Sequence, residues 1–470
     1  MSVSPSPHSD TIAALSTPAG IGALGIIRMS GPEAIAIAER IFSRKLSGVG
    51  GGQMRYGQIR RGSEVLDDVV LGLFRAPHSY TCEDVVEISC HGSPYILREV
   101  LQLLLESGAR LAEPGEFTRR AWLNGSLDLA QAEAVADLIA AQSAAAHRVA
   151  INQLRGGVSH ELAELRQQLI DFTALIELEL DFGEEDVEFA DRSRLTALID
   201  HIQTHISRLI SSFRLGNALK SGMPTVILGK PNAGKSTLLN ALLNENRAIV
   251  SDIPGTTRDV IEDRLVIGGV EFRLMDTAGV RDTTDAIEAE GVQRSLALAH
   301  KADLVIYLFD AASETPAQAI EYLHSLDLPP DTQLIAAGNK ADLLPDPAAY
   351  AETQDPRSLG GKAYVAWLLI SARDGGNLEG LRRLMLDAVE NLGESSSASD
   401  TLISHVRHRD HLRQASQALD DVRQALDQGI SGDLVSIDLR VALHHIGAIT
   451  GEINTEEVLG SIFSKFCIGK

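Results

Sequence analysis

Gly229-Lys230-Pro231-Asn232-Ala233-Gly234-Lys235-Ser236 has the G-x-x-x-x-G-K-S spacing that folds backbone N–H groups around a polyphosphate. It lies between an apolar run, Thr225 to Leu228, and a helical pattern that opens at Thr237, so it sits in the strand, loop and helix that this chemistry requires. Lys235 reaches toward the terminal phosphates, Ser236 can ligate Mg2+, and the positive end of the following helix adds to the field. Two further strand ends follow in order. Asp276-Thr277-Ala278-Gly279 closes the alternating run Val270 to Met275, where the carboxylate can hold the Mg2+ shell and Gly279 can turn its N–H to a γ-phosphate. Asn339-Lys340-Ala341-Asp342 closes Leu334 to Ala337, and Asp342 can accept from the N1–H and exocyclic amine of guanine, a pattern that adenine does not offer. Ser371-Ala372-Arg373, after Val365 to Ile370, supplies a backbone contact to the base. Together, and in this order, these segments predict a GTP-binding domain.

Hydrolysis needs a water-positioning group. The place directly after Asp-x-x-Gly, where small switch GTPases carry a glutamine, is Val280, which cannot hydrogen-bond. Glu288 or Glu290, in the polar stretch from Arg281, is the alternative, the other reading being solvent-facing residues that begin the next helix. An arginine finger contributes about 10^3 to 10^5 in rate, and a bound cation can supply part of that. Asn232 offers an amide oxygen within the phosphate loop, and Ser251-Asp252-Ile253-Pro254-Gly255-Thr256-Thr257-Arg258 offers carbonyls for an oxygen cage, with Thr257 placed as a second Mg2+ ligand.

These motifs must be carried by several domains, because the chain has 470 residues. Residues 1–125 read as mixed α/β, with strands at Ala23 to Met29, Val69 to Phe74 and Val85 to Ser89, a helix at Ser93 to Gly108 and a Gly-rich turn at Gly48 to Gly52. Residues 126–220 read as helical, interrupted by an acidic stretch from Glu177 to Glu188 that either chelates a cation or is a solvated loop. Strand and helix alternate over residues 221–390, the signature of a parallel sheet, and helical spacing resumes over residues 391–470. The expected fold is therefore multidomain: an α/β N-terminal domain, a discontinuous all-α helical domain built from two chain segments, and an inserted Ras-like P-loop α/β GTPase domain.

The formal net charge of −22 argues against wholesale electrostatic attraction to nucleic acid. Any RNA contact must use a basic partner or a local patch. One candidate is His405, Arg407, His408, Arg409, His411 and Arg413, whose alternative reading is a solvated helix face. The start of the chain has no charged and apolar leader and no run reaches about 18 apolar residues, which predicts a cytoplasmic protein without a membrane span. Cys82, Cys90 and Cys467 have no zinc or disulfide spacing; the first two read as small core or strand residues, while Cys467 stands in the terminal Cys467-Ile468-Gly469-Lys470.

Asn-Ala-Gly-Lys-Ser, Gly-Thr-Thr-Arg-Asp, Asp-Thr-Ala-Gly-Val-Arg and the terminal Cys-Ile-Gly-Lys together resemble the MnmE (TrmE) tRNA-modification GTPases. The likeness extends to Ile26 through Gly31, to Ser79-Tyr80-Thr81 with Glu83 through Glu87, to Pro114 through Thr118 and to Asp128 through Glu133. The GTPase motifs alone are shared with ribosome-assembly GTPases, so an rRNA-binding regulatory GTPase is the alternative; a third reading is a folate-binding scaffold whose GTPase is structural. The resemblance implies K+ on Asn232, Ser251, Ile253 and Thr256 in place of an arginine finger, Mg2+ on Ser236 and Thr257, and Glu288 as the group that orients water. It implies a folate-binding, dimer-forming first domain with Arg28, Glu87 and Lys470 on a 5-formyl-tetrahydrofolate or related folate, and Ser126 where the family often has a cation. It also implies a role for Cys467 near the modification site, a homodimer, and work with the MnmG (GidA) flavoprotein in a heterotetrameric complex on tRNA, at C5 of the wobble uridine.

Overall fold

The computed structural model describes residues 10–181, 192–244, 263–275, 296–353, 365–393, 401–428, 430, 432–452, 456–464, 466 and 469. Two compact units divide the chain: residues 1–139, 153–189 and 431–470 form one, and residues 140–152 and 190–430 form the other.

The first unit begins with β1 (Ile12–Leu15), β2 (Leu24–Ser30), α1 (Ala34–Ile41), β3 (Gln53–Arg61), β4 (Glu64–Phe74), β5 (Val85–His91), α2 (Pro94–Glu106), β6 (Arg110–Leu111) and α3 (Glu116–Leu123). The sheet order is β3-β4-β5-β2-β1-β6, antiparallel except for the β1–β6 pair. Period-2 alternation sends Val69, Leu71 and Leu73 of β4 inward with Val86, Ile88 and Cys90 of β5, and α1 and α2 close that face with Ile37, Leu97, Val100 and Leu104. Val70, Ser89 and Ile26 form one register row on the opposite face, and Gly72, Glu87 and Arg28 form the next. Met54 and Tyr56 of β3 remain exposed.

The helices that follow are α4 (Leu129–Ala140), α5 (Ala144–Leu154), α6 (Gly157–Asp181) and α7 (Arg192–Ser221). The nucleotide-binding sheet then builds from β7 (Met223–Leu228), α8 (Lys235–Asn244), β8 (Asp263–Ile267), β9 (Val270–Leu274), β10 (Leu304–Asp310), α9 (Pro316–Ser325), β11 (Gln333–Asn339), α10 (Pro347–Thr353), β12 (Val365–Leu369) and α11 (Leu378–Asn391). Its order, β12-β11-β10-β7-β9-β8, is parallel apart from the edge strand β8. The central strands are buried on both faces, which is why Leu304 to Phe309 and Leu334 to Ala337 read as continuous apolar runs. Succession reverses on either side of β7, so the loop after β7 opens at the switch point where such sheets bind ligands.

The chain ends with α12 (Val406–Asp427), α13 (Gly432–Thr450) and α14 (Glu456–Phe463). Within the first unit α6 packs on α13, and within the second α7 packs on α12. Each pair joins a segment that precedes the nucleotide-binding sheet to one that follows it, as expected of a discontinuous helical domain. Cys90 is a core residue, its thiol pushed up to about 12 chiefly by burial. Cys82 departs from the expectation: it is half-buried in a turn with φ 58°, in neither strand nor core. Among the described residues no helix is long and apolar enough to cross a membrane, and no cluster of His, Cys, Asp and Glu forms a metal-binding group.

Candidate functional site: a nucleotide cradle and a second polar centre

The predicted phosphate loop leaves β7 and turns into α8 with Asn232 at φ 62° and Gly234 at φ 99°. A Cβ on Gly229 would run into the Leu308 carbonyl, and one on Gly234 into the Asn339 side-chain amide, so both glycines let other backbone or polar groups approach. Lys235 folds its ammonium onto the carbonyls of Gly229 (2.7 Å) and Lys230 (3.1 Å) at the mouth of the loop. Ser236 and Thr237, both exposed, occupy the first turn of α8, where backbone N–H groups and a hydroxyl suit a phosphate and its metal.

Asn339 ties this loop to the base-binding loops. Its amide is buried; Nδ2 donates to the Ala233 carbonyl (2.7 Å) and Oδ1 accepts from the Ala372 N–H (2.9 Å). The Ala341 N–H donates to Ile370 O (3.0 Å), and Ser371 Oγ donates to Asp342 Oδ1 (2.8 Å), which leaves the exposed Asp342 carboxylate oriented at the rim. Lys340 adopts a left-handed φ of 65° and pairs with Asp310 at 2.6 Å. Burial alone would raise the Asp310 carboxyl, but the Lys340 ammonium and the Ala312 N–H hold it below its ordinary value. Asn232, Ala233, Gly234, Lys235, Ser236, Thr237, Asn339, Lys340, Ala341, Asp342, Ser371, Ala372 and Arg373 thus stand at the carboxyl ends of β7, β11 and β12. These groups fit a guanine nucleotide: a cradle of N–H groups, one lysine, one hydroxyl and one carboxylate acceptor. Sequence reasoning missed Lys230, paired at 2.7 Å with the buried Glu314, which also accepts from the Tyr307 hydroxyl (3.1 Å). The predicted Ser251 through Thr257, Asp276 through Gly279, Glu288, Cys467 and Lys470 lie outside the described residues.

In the first unit, Arg28 and Glu87 are direct register partners on β2 and β5. Arg28 Nε (2.9 Å) and Nη2 (2.7 Å) both donate to Glu87 Oε1, and the guanidinium stands within 6 Å of the Tyr80 and Phe117 rings, 5.5 and 5.8 Å from their centres. An Arg and a carboxylate beside aromatic faces suit a flat heterocycle that carries both donors and acids. Ser126 is exposed, its N–H closing α3 on the Ala121 carbonyl (2.8 Å). Gly469 lies against this sheet: its carbonyl O accepts from Ser16 Oγ (3.2 Å), and a Cβ on it would strike the Leu15 backbone.

The same unit holds an ionic centre that sequence reasoning missed. Arg120, with no exposed surface, donates to Asp10 Oδ1 (2.8 Å), Glu116 Oε1 (3.0 Å) and Glu83 Oε2 (3.3 Å), while Ser30 Oγ donates to Glu83 (2.6 Å). Burial pushes the Glu116 and Asp10 carboxyls up, yet hydrogen bonds and charge from Arg110 and Arg120 bring both below their ordinary values. The one available signal was an arginine three residues after Phe117, on the face that α3 turns inward.

Two family models match the chain: the MnmE helical domain over residues 129–467 and the GTP-binding protein TrmE N-terminus over residues 11–126. The tRNA modification GTPase MnmE of Cytophaga hutchinsonii is 51% identical over 467 residues, covering 98% of each chain. Its counterpart in Bacteroides thetaiotaomicron is 48% identical over 476 residues, 98% of this chain and 100% of the relative. Among solved structures, Era in complex with MgGDPNP and nucleotides 1506–1542 of 16S ribosomal RNA is 24% identical over 42% of this chain and 66% of its own, at a TM-score of 0.28, too low to bear on the assignment. With near-complete coverage at about half identity, and with the GTPase motifs gathered at one end of a parallel sheet, the chain belongs to the MnmE family of tRNA-modification GTPases.

Proposed function

We propose that this GTP hydrolase is potassium-stimulated, acts as a cytoplasmic homodimer, and works with the MnmG (GidA) flavoprotein in a heterotetrameric complex. The product is a (carboxymethyl)aminomethyl group at C5 of the wobble uridine of certain tRNAs. The domain division assigned to it is 1–125 for folate binding and dimerisation, 126–220 and 391–470 for the helical domain, and 221–390 for the GTPase.

The observation that supports the GTPase half of this reading is the Asn339 amide, which joins phosphate loop and base loops in one hydrogen-bonded unit. On this reading Ser236 and Thr257 hold Mg2+, and Asn232 with Ser251, Ile253 and Thr256 holds K+, which supplies positive charge against the departing phosphoryl oxygens. Glu288 orients the attacking water. Arg28 and Glu87, with Lys470 from the tail, bind 5-formyl-tetrahydrofolate or a related folate, and the Gly469 contact with Ser16 supports the tail's place beside that sheet.

Nucleoside analysis of tRNA from a deletion strain tests the reading. Loss of the C5 substituent is expected; normal wobble uridines with defective ribosomal subunits would transfer the protein to ribosome assembly. Exchange of K+ for Na+ should depress GTP turnover, and equal rates would remove the cation from the reaction.

A further inference from the structure

Helices α7 and α12 lie antiparallel in the second unit. Asp200 pairs with Arg423 and Gln203 with Asp420 at one end of the pair; Phe213 lies under Arg409 and Lys220 meets His405 at the other. Charge is divided along α12. Its first eight residues carry Arg407, Arg409 and Arg413 against Asp410, while the remainder carries Asp420, Asp421 and Asp427 against Arg423. That order opposes the helix dipole, which favours carboxylates at the amino end by about 0.3–1 kcal/mol each. The basic end therefore runs against local helix stability, in a chain whose net charge is −22.

A cavity of about 440 Å³ opens at this basic end, with Phe213, Arg214 and Asn217 of α7, Asp303 ahead of β10, and Arg409 and Arg413 of α12 among its walls. Two of the three guanidiniums are fixed in direction. Arg214 bridges Asp303 and Asp331, each at 2.8 Å, and Arg409 lies 4.7 Å from the Phe213 ring centre while pairing with Asp410 at 2.8 Å. Arg413 is exposed one turn beyond Arg409, and among the described residues no carboxylate pairs with it. Arg413 is thus the guanidinium left for an outside anion in a volume of small-ligand size, Arg214 and Arg409 already being matched by Asp303, Asp331 and Asp410. A flat guanidinium backed by an aromatic ring can stack a base on its open face, an amide can read a base edge, and an unpaired arginine can neutralise a phosphate.

We propose that this pocket is an RNA-contact site: Arg413 takes a backbone phosphate, the open face of Arg409 stacks one unpaired base, and Asn217 bonds its edge. The inference rests on the reading that RNA is the substrate and adds where RNA is held. The test titrates full-length protein with tRNA from the deletion strain at 50 and 200 mM salt. Arg413→Gln should weaken binding about threefold to tenfold at the lower salt and reduce the slope of log K against log salt by about 1. Arg409→Gln should weaken it about tenfold. Arg423→Gln, at the acidic end of the same helix pair, should bind as the wild type does, and GTP hydrolysis should be unchanged in all three. Wild-type affinity and slope in both Arg413→Gln and Arg413→Glu would overturn the proposal while leaving the tRNA reading intact. Retained tRNA binding with loss of the flavoprotein from Arg413→Glu would assign the pocket to a protein partner, also overturning it. Absence of tRNA binding by the wild type, with normal wobble uridines in the deletion strain, would remove both.

Discussion

The nucleotide cradle and the ionic centre of the N-terminal sheet solve one problem in opposite ways. Both must hold polar groups in fixed directions inside apolar surroundings. The cradle does so with neutral bonds between backbone and one amide, Asn339, so that its charged groups, Lys235 and Asp342, stay at the surface to meet a ligand. The N-terminal centre buries a full cation, Arg120, and pairs it with three carboxylates. Neutral cross-links leave charge available for binding; ionic ones consume it in holding the frame. Loss of a member should therefore unfold the second region but only loosen ligand in the first.

The largest effect is expected at the ionic centre. Arg120→Leu leaves Glu83 buried without its cation and strips Glu116 of one of its two arginines, and should cost about 3–5 kcal/mol, read as a lowered urea midpoint of the first unit, with GTP affinity little changed. A loss of GTP binding at full stability would erase the contrast. Next is Gly234→Ala, which puts a methyl at φ 99° and against the Asn339 amide. Strain and a lost hydrogen bond together should cost about 2–4 kcal/mol, weakening GTP some 30- to 1,000-fold by nucleotide titration. Asn339→Ala removes both cross-links without strain, and its expected loss is about 1–3 kcal/mol, roughly five- to 150-fold in GTP affinity, with the urea midpoint nearly unmoved. The smallest effect sharpens the comparison through pH. Because the folded Glu116 and Asp10 carboxyls lie below their ordinary values of 4.5 and 3.8, they add stability that is complete above those values and is lost as pH falls through the lowered ones. Glu116→Gln should flatten the acid limb of the unfolding profile, and an unaltered limb would place the acid sensitivity elsewhere.

The sequence made the parallel sheet legible because doubly buried strands need uninterrupted apolar residues, and β7, β10 and β11 have them. It left β3 unread for the converse reason: Gln53 to Arg61 is an edge strand, half of it wet, with Met54 and Tyr56 outward. The loop motifs were legible as local strings. What they do to each other was not, since the bond from Asn339 to Ala233 spans 106 positions. Arg120 was hidden for the same cause: Glu116 stands one helical turn before it, but Asp10 and Glu83 reach it only through the folded sheet.

The helix pairs α6–α13 and α7–α12 have a consequence for biosynthesis. Each early helix must wait for a mate encoded far downstream: about 250 residues separate the end of α6 from the start of α13, roughly ten to fifty seconds of ribosome travel. During that interval the inward leucines of α6 and the isoleucines of α7 have no permanent cover, while the nucleotide-binding sheet between them can already fold from neighbouring segments. A nascent chain stalled before α12 should thus be sticky yet already able to capture guanine nucleotide, and its escape from aggregation would depend on chaperones that shield greasy helices rather than on any help in building the sheet.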